Sequence, residues 1–362
     1  MNKFQYYNNS FLSEKFDNNQ SIHPYLKKKD WNEQNAYVVS RIHKINCPIP
    51  LANTLCELPK DLHQVDLDFS KTIDQIADYY CQKVMAKDHY PYLFYSGGID
   101  SVSVLVAILR NASKDFLQRL TIVCNHNSFN ENPYFYDRFI KNKFKLIDTD
   151  NFALDLKKFE NIVIFDGEMG NQIMGSCGIY DFARKGRYDL LADSYHLLLD
   201  NPLSDSDRYL VDLTIESLQY APLEIHTLHD FLWWSNFNFK VDEVLLRKIL
   251  VYTDKMTSQQ RQLFYHNNLI RFYSHPQMQK WSIASLHLRR ESLKKTTKYF
   301  PKKYIFDFDK NEIWFLQKRE MPSNSQIFID KSFYYNIFAM DTDWNLLDIR
   351  DRKTRQMIRS FY

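Results

Sequence analysis

The amino-acid sequence predicts an α/β protein with a doubly wound parallel sheet, a small N-terminal unit and a helical C-terminal part. Three observations carry that expectation. Short apolar runs alternate with helical periodicities across residues 68–166, the links between them are brief, and glycine clusters directly after two of the apolar runs. Parallel strands buried on both faces read as continuous apolar runs, and their ligands collect beyond the strands' carboxyl ends.

Residues 1–68 are polar and aromatic, with Pro24, Pro48, Pro50 and Pro59 interrupting any long helix. They are expected to form a small α+β or irregular unit. From Asp68, FSKTIDQIADYYCQKVMAK places Ile73, Ile76, Ala77, Tyr80 and Val84 on one face, which predicts a helix of about 18 residues. The strand YPYLFY, the loop SGGIDS and the helical run VSVLVAILRNA follow. LTIVCNH (120–126) is a second strand, NPYFYDRFIKNKF a helical stretch, KLIDTD a third strand, and NIVIF a fourth that runs into DGEMGNQIMGS. Residues 69–200 are therefore expected to be the α/β domain. In 201–362 helical periodicity dominates, with LHDFLWWSNF, VDEVLLRKIL and QQRQLFYHNNLIRFY as clear pieces, after LLADSYHLLL just before. The basic tail IRDRKTRQMIRSFY reads as a solvated helix face.

Composition excludes several classes. At 362 residues the chain has room for two units of roughly 150 residues each. Hydrophobic residues at 44%, charged residues at 25% and a net charge of +3 describe an ordinary globular protein, so neither nucleic acid nor a membrane is indicated as partner. Cys47, Cys56, Cys81, Cys124 and Cys177 form no C-x-x-C pair and no zinc-spaced cluster. They read as reduced thiols of a cytoplasmic protein. No leader pattern opens the chain, and no run approaches the roughly 18 apolar residues of a membrane span.

Glycine is the informative residue. Average usage would give about 25 in a chain of this length, yet there are seven, and five lie in two segments, Gly97–Gly98 and Gly167–Gly175. A chain this sparing with glycine keeps it where the backbone needs positive φ or must touch a ligand. A loop leaving a strand and entering a helix presents free N–H groups and the positive end of a helix dipole, for which phosphate is the natural occupant. Gly97 and Gly98 would let the backbone close around phosphate oxygens, with the hydroxyls of Ser96 and Ser101 as further donors. Asp100 would repel phosphate unless a Mg²⁺ bridged the two. The plainer alternative is a strand-to-helix turn with Asp100 as a helix-start carboxylate. A Walker A loop is excluded, because Ser176-Cys177 follows Gly175 where Lys-Ser/Thr is required.

SGGIDS (96–101) resembles the SGGxDS motif of the PP-loop ATP pyrophosphatase superfamily, whose loop holds the pyrophosphate of ATP while the α-phosphate is attacked. Downstream, IVIFDGEMGNQIMGS resembles the S-G-E-G-x-D-E-x-x-G-G segment of asparagine synthetases and β-lactam synthetases. The resemblance spans roughly residues 69–285 and implies an adenine nucleotide alpha hydrolase-like fold of the HUP type. It implies that Gly167 and Glu168 line the nucleotide, that Gly175 opens the closing glycine pair, and that Asp100 holds Mg²⁺ with a partner. The family's partner is Asp; this chain has Asn171, followed by Gln172. Asp166 would supply the missing charge or simply cap the turn. A C-terminal lysine serves the family as catalytic cation, and Lys318 in IWFLQKREM loosely matches its surroundings. His275 and His229 read as packing or surface histidines.

The resemblance implies an ATP-dependent, AMP-forming ligase. A substrate carboxylate would attack the α-phosphate, and ammonia or an amine would then displace AMP. Position 2 is Asn where glutaminase-bearing members carry a cysteine, so no glutamine hydrolysis is expected. The alternatives are another PP-loop enzyme acting on a nucleotide or nucleobase, and a catalytically silent nucleotide-binding paralogue.

Overall fold

A computed structural model describes residues 5–6, 58–59, 62, 65–148, 161–174, 215, 217–239, 264–292, 295–296, 298–317, 338–340 and 346–348. Packing divides the chain into two units, one of residues 59–186 with 263–328, the other of 1–58 with 187–262 and 329–362.

The second of these carries a small antiparallel sheet in the order β1 (Gln5–Tyr6), β7 (Phe338–Met340), β8 (Leu346–Asp348). It also carries a helix, Leu228–Phe239, that begins in reciprocal capping: Thr227 N donates to Asp230 Oδ2 at 3.2 Å and Asp230 N to Thr227 Oγ1 at 3.2 Å. Trp233 and Phe237 stack at 4.8 Å, Trp234 Nε1 donates to Ser217 Oγ at 2.9 Å, and His229 is buried beside Asp230. The expected helices LLADSYHLLL and VDEVLLRKIL lie outside the described residues.

The other unit is built on five strands: β2 (Tyr90–Phe94), β3 (Thr121–Cys124), β4 (Lys145–Asp148), β5 (Ile162–Asp166) and β6 (Leu269–Arg271). Every pairing is parallel and the spatial order is β4-β3-β2-β5-β6. Apolar character follows position: β3 is buried throughout, whereas edge strand β4 is largely exposed. The expected α/β class and parallel sheet are thus observed. One difference concerns β6. The sequence placed residues 269–271 inside a helical run, but they add a strand beside β5 after one π-helical turn at Phe264–Asn268.

Helix α1 (Phe69–Ala86) starts where Asp68 accepts from Ser70 N at 2.8 Å and Lys71 N at 3.2 Å. An N-cap of this kind contributes about 1 kcal/mol. Its buried side chains Ile73, Ile76, Ala77 and Val84 follow the predicted face, with Tyr80 half-buried. Helix α2 (Ile99–Asn111) packs between α1 and a later helix, Tyr299–Asp309. Asp74 ties all three: it accepts from Asn111 Nδ2 at 2.7 Å and from the Tyr304 hydroxyl, and pairs with Arg110 at 3.2 Å. Trp281 seals the helix layer, meeting Phe69 at 5.0 Å and Phe300 at 5.5 Å and donating to the Leu67 carbonyl at 3.0 Å. Among the described residues no helix is long and apolar enough to cross a membrane.

Candidate functional site

The direction of chain progression reverses between β2 and β5. β3 and β4 lie on one side of β2, while β5 and β6 lie on the other. In open parallel sheets this switch point opens a crevice at the strands' carboxyl ends. Both glycine clusters leave from those ends, the first after β2 and the second after β5.

The first turn is held by its own hydroxyls. Ser96 Oγ and Ser101 Oγ lie 3.0 Å apart, Ser96 N donates to Ser101 Oγ at 3.2 Å, and Ser101 Oγ donates to the Gly98 carbonyl at 3.2 Å. Gly97 has φ 75°, and a Cβ there would stand 2.3 Å from the Ser128 carbonyl. Only glycine satisfies both the dihedral and the space. Gly98 is the N-cap of α2 and brings no side chain to cap it, and the first-turn N–H groups of a helix have no intrahelical acceptor.

The second turn closes on the first. A Cβ on Gly170 would fall 2.1 Å from the Asp100 carboxyl carbon, and one on Gly167 would meet Ser101 N at 3.1 Å. Asp166 is buried, and its Oδ1 accepts from Glu168 N at 3.0 Å. That bond is the capping geometry of the two alternatives weighed from sequence. Between Glu168 and Gly170, Met169 is buried at φ 76°, a conformation that costs a side-chain-bearing residue about 1 kcal/mol or more. Asn171 follows in the short helix Gly170–Met174 and is half-buried.

Asp100 thus lies where the two turns meet, and a residue not singled out from the sequence engages it. Lys298 Nζ donates to Asp100 Oδ1 and Oδ2, both at 2.8 Å, with the lysine side chain 4% exposed and the aspartate 23%. Lys298 holds φ 47° and ψ 47° at the start of Tyr299–Asp309, so a left-handed turn aims it inward. Tyr273, fully buried, supports the same helix start from below: its hydroxyl lies 2.5 Å from Ser103 Oγ and donates to the Asp100 carbonyl at 3.3 Å. Burial, then the negative charge of Asp100, pushes the Tyr273 phenol well above its ordinary value, so it stays a neutral donor. No sequence pattern marks Lys298 among the 47 basic residues of the chain.

The sequence-predicted residues Ser96, Gly97, Gly98, Asp100, Ser101 and Gly167 meet in this crevice, with Asp166, Glu168 and Asn171 in the turn that closes it. Gly175 and Lys318 lie outside the described residues. His275 is a structural cap: its Nδ1 accepts from Gln277 N at 3.3 Å, and burial, then Lys83, lowers it to about 4.

The donor chemistry fits a cation at Asp100, since both carboxylate oxygens already hold an ammonium group. Among the described residues no group of three or more His, Cys, Asp or Glu side chains could hold a metal ion. A Mg²⁺ here would have Asp100, with Asn171 at most a neutral helper, and would need phosphate oxygens and water to complete its shell.

Compared with known proteins, the chain matches no protein-family model and no curated protein.

Proposed function

We propose that this protein is an ATP-dependent, AMP-forming ligase of the PP-loop type, with a HUP-like nucleotide-binding sheet, that activates a substrate carboxylate as an acyl-adenylate. One observation carries the proposal. Two glycine turns from adjacent parallel strands converge on a single carboxylate at the switch point of the sheet, and the first has the sequence SGGIDS. A further detail supports the family resemblance. Where the S-G-E-G pattern has its second glycine, this chain has Met169, at a φ that glycine favours.

In this reading the first-turn N–H groups of α2 and the Ser96 and Ser101 hydroxyls hold the β- and γ-phosphates of ATP. A carboxylate oxygen attacks the α-phosphorus, the bond to the bridging oxygen breaks, and pyrophosphate departs into the loop. Ammonia or an amine then attacks the acyl carbon, AMP leaves, and the amine proton passes to solvent. Mg²⁺, when bound, would neutralise phosphate charge at Asp100. Lys298 would exchange its carboxylate partner for phosphate oxygens as negative charge builds on the pyrophosphate. Gly167 and Glu168 would lie along the nucleotide.

The bidentate Lys298–Asp100 contact, together with Asn171 and Gln172, also favours a second reading, a nucleotide-binding module without turnover. Incubating the protein with ATP, Mg²⁺ and a panel of carboxylic acids and amines separates the two. The ligase releases pyrophosphate with one panel member, and Asp100→Asn lowers that rate at least a hundredfold. Nucleotide binding without pyrophosphate release across the panel selects the silent module, and absence of nucleotide binding ends both.

A further inference from the structure

A cavity of about 200 Å³ lies between the C-terminal end of α1, the start of β2 and the segment 267–274. His89 immediately precedes β2 and borders the cavity, whereas the Ser96 turn follows the strand's other end. Five residues of strand separate the ends by roughly 17 Å. No residue of the Ser96 turn or of the turn after β5 is among the cavity's described lining, although Arg271 of that lining pairs in register with Asp166.

Among the described residues its lining is one-sided in charge. Lys83 and Lys87 come from α1 and the residue after it, Arg271 from β6, and His89 from the link to β2. Asn267 and Ser274 add neutral hydrogen-bonding groups, Val84 and Val163 form apolar wall, and among the described residues no Asp or Glu lines the cavity. Lysines at a helix C-terminus ordinarily complement the helix dipole, which accounts for Lys83 and Lys87 alone. It does not account for Arg271 and His89, which reach the same space from two other elements.

His89 supplies the independent observation. Its Nδ1 is buried and has no hydrogen-bond partner among the described residues. A buried polar atom without a partner asks for an explanation, and a bound ligand is a standard one. Burial, then Lys87, lowers the His89 pKa against the opposing charge of Asp88, which is itself paired with Arg119, and this favours the neutral imidazole. A compact acceptor of high charge satisfies an imidazole N–H, two ammonium groups and a guanidinium together, and a phosphate group has that charge, geometry and size.

We propose that this cavity is a second anion site, which takes the phosphate group of free phosphate or of a small phosphate ester through Lys83, Lys87, Arg271 and the imidazole of His89. The assignment goes beyond the ligase reading and stands without it.

The test uses the full chain at low ionic strength, titrated with inorganic phosphate and, separately, with ribose 5-phosphate. Imidazole NMR signals are followed, His89 being identified by its loss in His89→Gln. The His89 resonance is expected to shift and saturate. Lys83→Gln/Lys87→Gln, exposed positions whose exchange leaves the fold intact, is expected to weaken that saturation at least tenfold, and Arg271→Gln to weaken it as well. Tighter binding of the ester assigns the ligand as a phosphorylated small molecule; equal binding assigns it as phosphate. Any phosphate equivalent that survives the double variant with His89 unmoved belongs to the Ser96 turn. An unshifted His89 in the wild-type protein, or equal affinity at His89 in wild type and double variant, overturns the proposal.

Discussion

The two glycine turns of the crevice meet at Asp100, which belongs to the first and lies against Gly170 of the second, and they obey local rules unequally. In the turn after β2 the positive φ falls on a glycine, Gly97, and the space beside it is too small for a side chain. In the turn after β5 the positive φ falls on Met169, with glycines flanking it at Gly167 and Gly170. The first turn is built from residues that suit it; the second keeps its shape against the preference of one of its residues. Strain of this kind persists only where the surroundings over-determine the backbone, and it gathers at functional sites. Here the surroundings are the Gly170 contact with Asp100 and the Asp166 cap on Glu168 N.

The largest expected effect comes from the turn that obeys its rule. Gly97→Ala places a methyl group 2.3 Å from the Ser128 carbonyl in a left-handed conformation. A loss of about 3 kcal/mol or more is expected from strain and displaced backbone together, measured as a lowered denaturant midpoint. Loss within experimental error would mean that the turn has room for a side chain, and the proposed phosphate cradle would lose its structural support.

Lys298 ranks next. Replacing it by Met leaves Asp100 without the ammonium that both its oxygens hold. Because the carboxylate is 23% exposed, the cost is expected near 2 kcal/mol, below that of a fully buried pair. Metal binding should move the other way. With the ammonium gone, Mn²⁺ titrated without nucleotide is expected to bind at least tenfold tighter to Lys298→Met than to wild type. Lys298→Arg should keep the wild-type weakness, and an unchanged Mn²⁺ affinity in Lys298→Met would show that Asp100 is no metal ligand.

The contrast between the turns also explains what the sequence disclosed. Gly97 and Gly98 stood out because the chain has few glycines and places them after an apolar run, so scarcity and position pointed the same way. Helix α1 was legible from the spacing of Ile73, Ile76, Ala77 and Val84, which nothing in the fold opposes. β6 was not, because a three-residue strand preceded by a π-turn has too little length to impose a period of two on the helical pattern around it. Lys298 was beyond reach for another reason: its meaning comes from a partner 198 positions earlier, brought near only by the packing of Tyr299–Asp309 on α2. Sequence patterns are local, and the cation of this crevice is not.

The smallest expected effect tests the second turn by inverting a familiar order. In most positions glycine destabilises more than alanine, by roughly 0.5–1 kcal/mol, because it releases more chain entropy on unfolding. Both Met169→Ala and Met169→Gly remove the same buried thioether side chain and should cost a few kcal/mol by the cavity left behind. They differ in the backbone. Alanine retains the left-handed strain at φ 76°, and glycine removes it. Met169→Gly is therefore expected to be more stable than Met169→Ala by about 0.5–1 kcal/mol in chemical denaturation. The usual order, with Ala the more stable, would mean that Met169 bears no strain and that the second turn is as comfortable as the first.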